Sequence, residues 1–131
     1  MGKLEKEYLY WMCSRVRELG AVSIRKAGEY AGGYQEAFYI EGMEFLRQGV
    51  FRRETMARGF DRAKGELEDS LREYESLKER GIRFITPLDQ EYPKRLKHIY
   101  DYPMGLWVKG ELPGEEIPSA AIVGSRSCTP Y

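Results

Sequence analysis

Histidine and cysteine are scarce: the chain holds one His and two Cys in 131 residues. Cys13 and Cys128 stand far apart, so no disulfide framework and no cysteine-based metal spacing is available. His98 is not set in a ligand pattern, and no metal and no cofactor is expected. An excess of either charge is also missing, with 21 basic against 21 acidic residues. Residues 1–81 hold 15 of each sign and residues 82–131 hold 6 of each, so neither part is basic. A broad electrostatic footprint for duplex nucleic acid is thereby excluded, and any nucleic-acid site must be a local cluster. The opening MGKLEKEYLYWMC has no long apolar run behind its charges. It reads as neither a signal peptide nor a membrane span, and Gly2 lacks the downstream Ser or Thr of a myristoylation motif. A cytoplasmic, reducing setting and no membrane partner are expected.

What the chain does have is aromatic material, 13% of its residues with ten Tyr, on a background that is 42% hydrophobic. Residues 4–19 place Leu4, Tyr8, Trp11, Met12, Val16 and Leu19 at helical spacing. On that helix Tyr8 and Trp11 face a core and Tyr10 points elsewhere. Cys13 reads as a small core residue. Gly20 is expected to stop the helix as a C′ glycine, and Ser23 to cap a second helix that Gly32 and Gly33 break. Short helical segments follow at 35–40 and 41–49. Then Met56, Phe60, Ala63, Leu67, Leu71, Tyr74 and Leu77 recur at steps of four and three. They predict one long helix that begins near Thr55 and ends at Gly81, with irregularity near Gly59 and Gly65.

After Gly81 the texture changes. IRFIT alternates apolar and polar residues and reads as a strand. YPKRLKHI reads as a short helix with Pro93 in its first turn, anchored by Tyr92. MGLWVKG predicts a second strand with Trp107 in the core. AAIVG, apolar at consecutive positions, predicts a third, covered on both faces. The expected fold is therefore α + α/β: a helical module over 1–81, then the opening strands of an α/β domain over 82–131.

The third strand runs into Gly124, Ser125 and Arg126. A glycine at the carboxyl end of a strand lets a ligand approach the main chain. Ser125 offers a hydroxyl, and Arg126 a permanently charged fork suited to phosphate oxygens. The triplet by itself divides evenly between a phosphate site and an ordinary tight turn, since it is neither G-x-G-x-x-G nor a Walker loop.

Its surroundings carry more. Tyr92-Pro93, Leu96, Ile99, Asp101, Pro103, Leu106, Lys109-Gly110 and the Ile122–Arg126 turn occur in an order and at a spacing that resemble the DNA-processing protein A family (DprA, also called Smf). The helical part is similar to that family's sterile-alpha-motif-like or helix-hairpin-helix-like N-terminal domain. The resemblance implies an extended, here truncated, Rossmann domain without catalysis. It implies a protein that binds single-stranded DNA, protects it and loads the RecA recombinase in natural transformation, acting as a homodimer. It places Gly124, Ser125 and Arg126 in the DNA pocket, with Ser127 and Thr129 as adjacent candidates. The family continues beyond SRSCTPY, so the chain is expected to be a fragment of a longer parent.

Other readings stay open beside this one. A Rossmann-type nucleotide-processing enzyme, phosphoribohydrolase-like, shares the strand-turn logic. A helical protein-interaction module needs no DNA at all. Lys94, Arg95, Lys97 and His98 read as a solvated helix face, flanked by Asp89, Glu91 and Asp101. Arg52-Arg53 read either as a phosphate contact or as the sign of a helix that starts later, and the second is preferred. ELGAVSIRK, with Arg25 and Lys26, is a weak candidate for a nonspecific DNA contact.

Overall fold

The computed structural model describes residues 4–112. They run as α1 (Glu5–Arg15), α2 (Ala21–Ala31), α3 (Tyr34–Phe38), α4 (Gly42–Arg47), α5 (Glu54–Ala63), α6 (Leu67–Glu79), β1 (Ile82–Ile85) and β2 (Leu106–Lys109). A 3-10 turn at Lys64–Glu66 separates α5 from α6, and a second, Lys94–His98, lies between the strands. The architecture is α+β: mainly helical, with β1 and β2 paired antiparallel in the register Phe84↔Trp107. The predicted AAIVG strand lies outside the described residues.

The first helix is shorter than its apolar pattern predicts. It stops at Arg15, and the N–H of Val16 bonds the Met12 carbonyl at the exit. The Leu19 N–H then bonds the Val16 carbonyl at 3.2 Å. This turn lets Val16 and Leu19 both bury, although they no longer share a helix. Gly20 is therefore not a C′ glycine. It is the extended residue before α2, and Ser23 sits inside the helix without capping it. The break after α2 is as expected: Gly32 takes the left-handed conformation, φ 84°, where a side chain would be strained.

The long helix expected from Thr55 to Gly81 is two helices. The Leu67 N–H bonds the Lys64 carbonyl, as in a 3-10 turn, and so no longer caps Ala63. The Ala63 carbonyl, at the start of this turn, accepts the indole N–H of Trp11 at 2.6 Å. Trp11 is completely buried, so this bond satisfies a donor and an acceptor that water cannot reach. Gly65 sits in the break, where its low helix propensity costs least. Gly81 ends α6 with φ 70°, as the sequence predicts.

Around Trp11 the main core gathers Leu9, Met12, Ile24, Phe45, Phe51 and Phe60 among others. Ring edges meet ring faces throughout: Trp11 lies 5.0 Å from Phe38 and 5.3 Å from Phe60. Met104, from the segment before β2, inserts into this same core.

A second cluster corrects the expectation for Tyr10. This ring is 1% exposed and packs with Leu77 and Phe84, its edge against Tyr74, Phe84 and Trp107. Helix α1 lies between the main core on one side and α6 with the hairpin on the other, so it buries two faces. Trp107 covers this cluster from outside; it remains 47% exposed and is not the core residue its strand position predicted.

Close approach fixes one glycine. Gly42 opens α4 against α5, and a Cβ there would collide with the main-chain carbonyl of Ala57. Its N–H is held by Asp61 Oδ1 at 2.9 Å.

Two substitutions test this packing. Trp11→Phe keeps a ring but removes the buried indole bond and leaves a gap; we expect a loss of about 1–3 kcal/mol in urea unfolding. An unchanged midpoint would show that the indole bond contributes nothing. Gly42→Ala should cost about 1–3 kcal/mol, because backbone and not a flexible side chain must yield. A stabilised Gly42→Ala variant would mean that α4 and α5 separate freely.

Candidate nucleic-acid interface

Gly124, Ser125 and Arg126, the predicted DNA-binding residues, lie outside the described residues, as do Ser127 and Thr129. The structure does describe the segment that leads toward them, and it shows what the unusual residues of that segment do. Thr86, fully buried, ends β1. Its N–H and hydroxyl both donate to Asp89 Oδ2, at 2.8 and 3.1 Å, while the Asp89 N–H returns to the Thr86 carbonyl. Lys6 of α1 pairs with the same Asp89 at 3.1 Å and ties the turn to the helices.

Tyr92 is buried and donates its hydroxyl to the Pro103 carbonyl at 2.6 Å. Tyr92, expected to anchor the segment on the sheet, instead bonds the turn before β2, and the bond joins the two Tyr-Pro turns, 92–93 and 102–103. Pro93 stands immediately before the 3-10 turn, where its missing N–H costs nothing. Of the basic residues on that turn, Lys97 reaches back over the Tyr92 ring, 5.8 Å from its centre. All four are exposed, which fits a solvated face.

A second group of cations comes together where the sequence signals are weak. The first turns of α2, the link between α4 and α5, and the turn before Tyr102 enclose a cleft of about 490 Å³. Ala21, Val22, Val50 and Met56 contribute apolar lining, and Ser23 a hydroxyl. Lys26 enters from α2, and Arg52 and Arg53 from the link. The helix after them starts at Glu54, directly after Arg53, so the two arginines stand at its N-terminus. Asp101 brings the lining's one carboxylate, and Tyr100 stands beside it.

Arg25, flagged together with Lys26, does something else. Its Nη1 donates to the Tyr100 carbonyl at 3.1 Å, and its guanidinium lies 4.7 Å from the centre of the Tyr102 ring. It fixes the turn and leaves Lys26 to the cleft. Tyr100 had no periodicity or motif to mark it; only the fold brings it here.

The titratable groups of the cores offer no nucleophile near neutral pH. Burial pushes the Cys13 thiol up to about 12. Burial, reinforced by a hydrogen bond with Tyr39, raises Tyr8 to about 12. Among the described residues no group of three His, Cys, Asp or Glu side chains is placed to hold a metal ion. Among them, too, no helix is long and apolar enough to cross a membrane.

Comparison with known proteins bears on the same segment. Residues 83–131 match the model of a family of DNA-processing proteins, described as DNA recombination-mediator protein A. Through this segment the chain is similar to the DprA family. A curated relative, DNA processing protein DprA of Streptococcus pneumoniae (strain ATCC BAA-255 / R6), is 48% identical over 42 residues. That stretch is 32% of this chain and only 15% of the relative's length. No solved structure matches the chain.

The Cys13 environment gives a direct test. With the thiol at about 12, thiolate at pH 8 is rarer by about a thousandfold than in an open cysteine. In a Cys128→Ala background, iodoacetamide should alkylate native Cys13 at least about a hundredfold more slowly than in urea. Equal rates, followed by mass spectrometry, would mean the thiol is open to solvent.

Proposed function

We propose that the chain acts within a DprA-type recombination mediator that binds single-stranded DNA, protects it and hands it to the RecA recombinase during natural transformation. The family match over residues 83–131 supports this reading, because it runs through Gly124, Ser125 and Arg126. The strand is held through its phosphates: Arg126 offers a charge-assisted fork, and Ser125 and the main chain after Gly124 offer further donors. The reading is of a binding protein working without catalysis or cofactor, on a Rossmann-type domain preceded by a sterile-alpha-motif-like helical one, as a homodimer in the cytoplasm.

Two properties follow from a phosphate-based grip. Affinity for a fluorescein-labelled deoxythymidine oligomer, read by anisotropy, should fall linearly on a log-log plot against salt. Arg126→Ala should weaken binding roughly tenfold or more, and equally for oligomers of different sequence. Absence of binding by the unaltered chain, or an Arg126→Ala variant of undiminished affinity, would overturn the assignment.

A further inference from the structure

We infer that the cleft between α2, the α4–α5 link and the Tyr100-Asp101 turn is a second contact for single-stranded DNA, taking backbone phosphates on Lys26, Arg52 and Arg53 and a base on Tyr100. The inference rests on the single-strand reading above and adds a site to it, whose cations Lys26, Arg52 and Arg53 lie outside the family match and whose Tyr100 lies within it.

The charge arrangement is the first support. This chain carries no net charge, and several of its cations are paired locally: Arg15 with Glu73, Arg58 with Glu54, Arg62 with Glu18, Arg72 with Asp69. Lys26, Arg52 and Arg53 have no ion-pair partner among the described residues, and all three are exposed. They come from two elements well apart in sequence and line one concavity. Like charges gathered this way repel one another and give the fold nothing, whereas a polyanion relieves that repulsion. The first turn of α2 adds no acidic side chain to offset them.

Shape and the aromatic rim select the ligand. About 490 Å³ lies within the range of pockets that hold a nucleotide-sized group. Tyr100 is 67% exposed, yet its main chain is pinned by Arg25, whose guanidinium lies 5.6 Å from the ring centre. A ring held in place with an open face is a stacking platform for an unpaired base. Duplex DNA hides its base faces, so the combination of phosphate cations and an open ring fits single strands. Asp101 opposes the ligand from the same rim and limits the affinity.

The test uses anisotropy of a labelled deoxythymidine oligomer, an abasic oligomer of equal length, and inorganic pyrophosphate as competitor. The triple variant Lys26→Ala, Arg52→Ala, Arg53→Ala should bind the oligomer at least roughly tenfold more weakly. Its salt slope should be shallower by about 2. Asp101→Asn should bind more tightly, a gain that misfolding cannot mimic. Tyr100→Ala should weaken binding to the thymidine oligomer and leave the abasic one unaffected, and pyrophosphate should compete only weakly against the longer strand. A triple variant that binds like the unaltered chain overturns the inference, and if Arg126→Ala still weakens binding, the proposed function survives. Equal weakening by a control triple at Lys78, Arg80 and Lys109, outside the cleft, also overturns it. Failure of the unaltered chain to bind the oligomer overturns both readings.

Discussion

The indole N–H of Trp11 and the main-chain carbonyl of Ala63 meet at 2.6 Å in a place no water reaches. An unpaired indole N–H there would cost on the order of 1–3 kcal/mol, so the pair is a constraint as much as a contact. It falls at the point where the helix containing Ala63 is interrupted. The 3-10 turn at Lys64–Glu66 supplies the interruption. Lys64, in the turn, then donates to the Ile40 carbonyl at 2.8 Å and pairs with Asp61. Asp61 in turn holds the N–H of Gly42. One buried bond thus aligns α1, the α5–α6 corner and the start of α4.

Helix α1 works on two sides at once. Trp11 and Met12 enter the large core, while the neighbouring Tyr10 enters the smaller one with Leu77 and Phe84. Cys13 borders both. Gly105 completes the junction: a Cβ there would overlap the Phe84 ring and approach Cys13 Sγ to 3.4 Å. The segment matched by the DNA-processing family is therefore packed directly against the helices, through Phe84, Tyr102 and Met104. Through the same packing the Tyr100-Asp101 turn comes to rest beside α2, where the basic cleft forms.

Much of the helical order was legible because apolar spacing and glycine breaks act locally. Gly32 and Gly81 end helices where expected, since both need a left-handed main chain. The errors share one cause. Val16 and Leu19 look like helix positions because they are apolar at the right interval, yet the core takes them from a turn. Tyr10 looks outward on a helix with one buried face, but the hairpin supplies a second. The even run from Met56 to Leu77 hides a corner that only Trp11, more than fifty residues earlier, explains. The candidate sites divide similarly. Gly124, Ser125 and Arg126 carry a strand-end pattern in the sequence and lie outside the described residues. The cleft carries no such pattern, since Lys26, Arg52 and Tyr100 are unremarkable until three distant segments meet.

The unequal burial of the two tryptophans makes the chain a reporter on itself. Trp11 has no solvent contact, whereas Trp107 is about half open and lies against Phe84 and Tyr10. The first emits from a dry apolar site and the second from a partly wet one. Quenchers dissolved in water reach only the second while the fold is closed. Fluorescence of this chain therefore reads two regions separately: opening of the hairpin alters the red, quenchable component first, and the blue component follows only when the helical bundle itself comes apart.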